Sequence, residues 1–205
     1  MRGSSFSLIV VVLVGLAIAE VTAMSLAEDN VPTKTVHCSD GWRTTGYFTP
    51  IETDYNSGET TEIEVGRLGK MSFDSEFIRT VFDSDKGFGE GWGKTRFGWY
   101  LGNYSGGWHK ADAPLGASNA PLKPNSVAVD NSLIPTNSMV TIPGLPGSLG
   151  EMKFVADDVG VGIDGKHVDI YTGEGKDARR EMYEITFEDD DDLQRVCFDA
   201  PPQPK

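Results

Sequence analysis

The sequence predicts a mainly β fold with one short helix. Four Trp, ten Phe and six Tyr are spread along 205 residues without a sustained helical period of apolar positions. Twenty-four Gly and 11 Pro break the chain into short segments, which suits strands and turns better than helices. Between the breaks the residues are largely β-branched or aromatic, the types that fit a pleated surface.

Residues 1–23 read as a targeting segment. Arg2 supplies the positive start, Leu8 to Ala19 the apolar core, and Ala17-Ile18-Ala19 or Val21-Thr22-Ala23 a small-residue cleavage site. The apolar run of about 12 residues is shorter than the roughly 20 a spanning helix needs. The mature chain is therefore expected to be exported, periplasmic or extracellular, with no membrane span after cleavage. A polar stretch, 24–40, leads into a single expected domain at 41–199, and 200–205 forms a tail. The mature length, on the order of 180 residues, suffices for one core.

Gly41 to Tyr55 alternates Thr, Tyr and Phe and predicts a strand ending at Pro50, and Glu62 to Val65 predicts another. In Asp74 to Phe82, Phe77, Ile78 and Val81 stand at helical spacing behind Asp74 or Ser75 as N-cap, which predicts the one helix. A long Gly- and Trp-rich insertion follows at 87–107. Its Gly93-Lys94-Thr95 does not make a phosphate loop, because Phe88 stands where the earlier glycine is required. Trp92, Trp99, Tyr100, Tyr104 and Trp108 either pack a core or offer a platform for the apolar face of a sugar ring. After a Pro- and Ala-containing loop, strands are predicted at Ser126 to Asp130, within Leu133 to Ile142, at Met152 to Ala156 and at His167 to Tyr171. Glu181 to Phe187 and Arg195 to Phe198 are expected to close the fold.

Cys38 and Cys197 are the two cysteines, and in an exported protein they are expected to form one disulfide, with two buried free thiols as the alternative. Together with His37, His109 and His167 they lack the ligand spacing of a zinc site, and no metal or cofactor is expected. A net charge of -13 argues against nucleic acid as a partner. The run Glu188 to Asp192 is a solvated face that does not follow the spacing of a calcium loop.

The segment FVADDVGVGIDGKHVDIY carries the chemistry. Asp158 and Asp169 stand at the two ends of a turn built on Gly160, Gly162 and Gly165, so a fold-back at the glycines brings two acids together. Neighbouring carboxylates raise each other's pKa, and a protonated carboxyl can donate to a leaving oxygen. Acids beside glycines also cap turns, and the segment alone does not decide between the two.

Four ordered segments, TGYFTP (Thr45 to Pro50), VAVDNSLIP (Val127 to Pro135), TIPGLPG (Thr141 to Gly147) and ADDVGVGIDGKHVDIYTGEG (Ala156 to Gly175), resemble the 3D domain. That family is named for three aspartates and related to the A-type membrane-bound lytic transglycosylases. EGWGKTR and GWYLG also look like its larger exported members, and the resemblance covers roughly residues 42–175. It implies a six-stranded double-psi β-barrel with a substrate groove. It further implies that Asp130, Asp158 and Asp169 are the three catalytic aspartates, Asp169 being the acid, and that Tyr47, Thr49, Gly160 and Lys166 line or bind the groove. The implied reaction is non-hydrolytic cleavage of the MurNAc-β-1,4-GlcNAc bond of peptidoglycan with a 1,6-anhydro product. The chain is expected to be a monomer.

One position departs from the family pattern. Where the family usually has Gly-Gly-Ala-Ile-Lys-Gly, this chain has Gly160-Val161-Gly162-Ile163-Asp164-Gly165. An anion thus replaces a cation, either near the groove or at an exposed turn tip. Two other functions compete: a non-catalytic wall-binding or expansin-like wall-loosening module, and a hydrolase with Asp158 or Asp157 as base.

Overall fold

A computed structural model describes residues 35–187 and 192–199. The predicted targeting segment, nearly all of the Glu188 to Asp192 run and the 200–205 tail lie outside the described residues. The first strand, β1 (Val36–Thr49), starts ahead of the expected Gly41 and is 14 residues long. Then come β2 (Thr60–Val65), β3 (Gly69–Asp74), helix α1 (Ser75–Val81), β4 (Trp92–Lys94), β5 (Tyr100–Tyr104) and β6 (Gly107–Ala111). The second half holds β7 (Ser126–Val129), β8 (Met139–Thr141), β9 (Phe154–Asp158), β10 (His167–Glu174), helix α2 (Gly175–Ile185) and β11 (Gln194–Asp199).

Six of these strands close into a barrel in the order β1-β10-β7-β9-β8-β11. The ring is sealed by β1, which pairs parallel with β10 on one edge and antiparallel with β11 on the other. Side chains alternate across a strand, so Val168 and Ile170 of β10 and Val127 and Val129 of β7 enter the apolar interior with Phe154, Ala156 and Val196. The residues between them, Asp169 and Ala128, face outward.

Residues between β1 and β7 build a second sheet in the order β3-β2-β6-β5-β4. It has its own core of Val65, Phe73, Phe77, Ile78, Val81 and Leu101, so the Gly/Trp-rich insertion is part of a larger layer. The predicted helix α1 is present, and the Asp74 carboxylate caps it by accepting the N–H groups of Glu76 and Phe77. Glycine at 102 is required because a Cβ there would lie 2.6 Å from the Trp92 ring, which instead lies across β5.

Three expectations are corrected. Glu181 to Phe187 is not a closing strand but mostly the end of α2, which makes two α-helices where one was expected. The β-forming Tyr183, Ile185, Thr186 and Phe187 concealed an upstream run of strong helix formers, Lys176 to Met182. Buried Ala178 and Ile185 stand two turns apart on the packed face, Ile185 coming within about 3 Å of where a Cβ on Gly46 of β1 would be. The predicted strand within Leu133 to Ile142 shrinks to β8, because Leu133 and Ile134 turn back to donate to the Asp130 carbonyl. Finally, β9 and β10 are not neighbours: β7 lies between them, antiparallel to β10 and parallel to β9.

Cys38 and Cys197 form the expected disulfide across 159 positions of sequence, between directly paired residues of β1 and β11. No helix among the described residues is long and apolar enough to cross a membrane. Because the bond fastens the barrel's seam, replacing both cysteines by serine should cost about 2–5 kcal/mol, read by urea denaturation. A change below about 0.5 kcal/mol would mean that the strands alone hold the seam.

Candidate active site

The acids are brought together by register, across the barrel wall. Thr45 of β1 pairs with Asp169 of β10, Asp169 with Ala128 of β7, and Ala128 with Asp158 of β9. These four residues form one row over four strands. Two strand spacings of about 4.8 Å put the Cα atoms of Asp158 and Asp169 roughly 10 Å apart, with only a methyl group between them.

A bulge aims the second acid. Phe154 and Ala156 point inward, and strict alternation would send Asp158 inward after them. Instead the register shifts, Val127 facing Ala156 but Ala128 facing Asp158, so one extra residue, Asp157, is accommodated and Asp158 turns outward beside Asp169. Asp157 itself accepts the Ser126 hydroxyl at 3.1 Å.

Asp158, Asp169, Ala128 and Tyr47 open on a cleft of about 510 Å³ whose other walls include Glu90 to Trp92 and Asn103 to Ser105 of the second sheet. The charged residues lining it are Glu90, Asp158 and Asp169, and among the described residues no Lys, Arg or His lines it. Phe88, Tyr104, Val159 and Val161 give it an exposed apolar rim.

Burial pushes the Asp169 carboxyl up to about 6, with the charge of Asp158 adding and the Thr45 hydroxyl opposing. Burial likewise raises Asp158, against hydrogen bonds from the Tyr47 phenol and the Val159 N–H. The Tyr47 hydroxyl donates to Asp158 Oδ2 at 2.6 Å and is itself raised well above the ordinary tyrosine value, first by burial and then by that carboxylate.

Behind Asp169 runs a chain of hydrogen bonds. Thr45 Oγ1 lies 2.6 Å from Asp169 Oδ1 and 2.8 Å from His167 Nε2, and His167 Nδ1 lies 3.1 Å from the Gly162 carbonyl. A carbonyl only accepts, so Nδ1 carries a proton. Burial lowers the His167 pKa, which favours the neutral ring near pH 7. The Thr45 hydroxyl donates to Asp169 Oδ1, a bond that favours the ionised acid and opposes the rise caused by burial.

The remaining sequence-predicted residues fall in different places. Gly160 lines the cleft. Thr49 is buried, its hydroxyl 2.8 Å from that of Tyr171, and lies outside the lining. Lys166 is exposed and donates to the Asp40 carbonyl. Asp130 is also outside the lining: its carboxylate accepts from the Ser132 hydroxyl and N–H and from the Gly165 N–H, which hold its pKa down at about 2. Asp164 adjoins Asp130 on the exposed turn and does not line the cleft. Of the candidate platform aromatics, Trp92 and Tyr104 border the cleft, Trp99 and Trp108 pack on the second core, and the Tyr100 hydroxyl donates to Glu174.

Three site residues were missed from sequence: Thr45, His167 and Glu90. Strand alternation carried a signal for His167, two positions before Asp169 and so on the same face. Glu90 had none beyond its place in EGWGKTR, since the second sheet brings it in.

Residues 125–183 match the family model described as the 3D domain, bearing out the resemblance read from the sequence. No curated protein sequence matches this chain. Among solved structures, it is similar to Escherichia coli MltA with bound chitohexaose, at 18% identity and a TM-score of 0.53, covering 78% of this chain and 72% of that one. It is also similar to a membrane-bound lytic murein transglycosylase from Agrobacterium tumefaciens, at 11% identity and a TM-score of 0.50, covering 78% and 74%. At these identities the likeness is one of fold.

Asp169 is raised on folding from 3.8 to about 6, so the folded state holds its proton more tightly than the unfolded chain does. That contribution is fully present below about pH 4 and lost as pH rises through about 6, amounting to roughly 3 kcal/mol. Asp169→Asn keeps a neutral group and removes the dependence. The stability difference between wild type and variant should therefore change over that window in urea denaturation series, and a pH-independent difference would contradict the burial argument.

Proposed function

We propose that this chain is an exported lytic transglycosylase that cleaves the MurNAc-β-1,4-GlcNAc bond of peptidoglycan without water. The observation that carries this reading is Asp169: a carboxyl raised to about 6 by burial, opening on a cleft with an apolar rim. The fold likeness to MltA solved with chitohexaose supports a glycan as occupant. The targeting segment and the Cys38–Cys197 bond support export.

In this mechanism Asp169 gives its proton to the glycosidic oxygen as the C1–O4 bond breaks. The O6 hydroxyl of the muramic residue attacks C1, and its proton leaves to a carboxylate. The ring closes as the 1,6-anhydro sugar, and no water is consumed. A hydrolase would need carboxyls placed to activate water on the opposite face of the sugar. Asp158 raises Asp169 through its charge and is itself fixed by Tyr47.

The other family positions act by holding shape. Asp130 anchors the glycine loop through the Gly165 N–H, and Lys166 ties the same loop to Asp40. Gly160 keeps the loop close, since a Cβ there would meet Ile163 at 2.8 Å. Thr49 steadies Tyr171, whose ring lies 5.3 Å from that of Tyr47. We take the six-stranded ring to be the double-psi barrel of the resemblance, supported by its two parallel pairings. The domain is drawn as monomeric and continuous to residue 199, with β1 moving its start back to Val36.

Mass spectrometry of purified peptidoglycan digested by the mature protein, run beside Asp169→Asn, tests this. Soluble muropeptides with 1,6-anhydro ends are expected from the wild type, with a loss of at least about 10²-fold in the variant. Reducing ends would instead indicate hydrolysis, and retention on the insoluble wall without soluble product would indicate a binding module.

A further inference from the structure

Glu90 is the charged group of the cleft to which the mechanism above gives no named part. It lies between α1 and β4, held by its own N–H to the Thr80 carbonyl and by that of Gly91 to the Val81 carbonyl. The approach is tight, since a Cβ on Gly89 would lie 2.6 Å from the Val81 oxygen. From there the side chain reaches across to the barrel, where Oε2 accepts the Phe48 N–H of β1 at 2.9 Å.

Two cleft carboxyls besides Asp169 are available to take a proton, and their hydrogen bonding separates them. Asp158 has both oxygens engaged, Oδ2 by the Tyr47 phenol and Oδ1 by the Val159 N–H. Glu90 has one oxygen engaged, and among the described residues Oε1 accepts no hydrogen bond. Glu90 and Asp169 line the same cleft.

We infer that Glu90 is a second catalytic residue, taking the proton of the attacking hydroxyl while Asp169 supplies the proton of the leaving oxygen. This rests on the lytic transglycosylase reading. The Asp169 O–H bond breaks and its proton passes to the glycosidic oxygen, which keeps the electron pair of the broken C1–O4 bond. O6 bonds to C1 and its proton goes to the Glu90 carboxylate. The products are a free 4-hydroxyl and the 1,6-anhydro ring, with Asp169 ionised and Glu90 protonated. Solvent exchange then restores both groups.

The electrostatics set which carboxyl holds the proton. Burial raises Glu90 to about 7, the Phe48 N–H opposes, the charge of Asp169 on β10 adds, and the cation of Arg179 on α2 opposes. The Glu90 charge in turn raises Tyr55, and Asp158 and Tyr47 line the same cleft. With Asp169 at about 6, the two carboxyls share a single proton between about pH 6 and 7 and titrate as a pair, the productive form with the proton on Asp169 being the less populated.

The test is the rate of anhydro-product formation from purified peptidoglycan as a function of pH, for wild type, Glu90→Gln and Arg179→Ala. The wild type should give a bell-shaped profile. Glu90→Gln, whose amide oxygen can still accept from Phe48, should be about 10²-fold slower at its optimum. Its acid limb should vanish while the product keeps its anhydro end. Arg179→Ala removes the opposing cation and raises Glu90 further, so the alkaline limb, which follows the higher-titrating Glu90, should move to higher pH. A Glu90→Gln rate within about threefold of wild type with both limbs kept would overturn the inference. So would an unmoved alkaline limb in Arg179→Ala, and that variant decides the matter if thermal unfolding shows Glu90→Gln misfolded. A wild type that forms no anhydro product would overturn the parent reading itself, a result seen before any variant is compared.

Discussion

Keeping one carboxyl out of water, with a single hydroxyl as its hydrogen-bonding partner, is the constraint on which the cleft depends. An ionised carboxylate in that position is costly, so Asp169 retains its proton to about pH 6. Thr45, its partner, donates to the carboxyl and also meets His167, which is oriented by a carbonyl of the glycine loop. The loop is therefore linked to the acid from behind, through His167 and Thr45, without touching it. Asp130, held at about 2, is the opposite case: a half-exposed acid that stays ionised and serves as an anchor for backbone N–H groups.

The row that contains Asp169 owes its shape to two small features of register. Ala128 presents nothing larger than a methyl between the acids, so the wall of the barrel is open there. The bulge at Asp157 reverses the face of Asp158. Either feature altered would leave the barrel core of Val127, Phe154 and Ile170 untouched while dismantling the pair of acids. Core and site are thus set by alternate residues of the same strands.

Much of this was legible in the sequence because it is local. The strands follow β-branched runs, α1 follows its spacing and the Asp74 cap, and the aspartates stand in ordered motifs. What escaped is non-local or depends on competing local preferences. Helix α2 was hidden by β-forming residues at its end, which packing of Ala178 and Ile185 against the barrel overrides. The fold-back of β9 and β10 was expected to be direct, but strand order is decided by pairing with β7, some 30 residues earlier in the chain. Glu90 reaches the site because a separate sheet leans its loop against β1, and no spacing along the chain encodes that.

The seam has a consequence for how the molecule is made. The ring closes through β1 and the last two strands, with Arg43 paired to His167 and Cys38 to Cys197. The second sheet is complete once β6 has been synthesised and can gather its own core early. The barrel cannot: its strands wait as open edges until the far end of the chain arrives, a topology of distant contacts that folds slowly and exposes pairing edges meanwhile. Thr45 meets Asp169 only when β10 docks on β1. The acid is therefore an ordinary solvated aspartate throughout synthesis, and its unusual proton affinity is acquired in one of the final steps of folding.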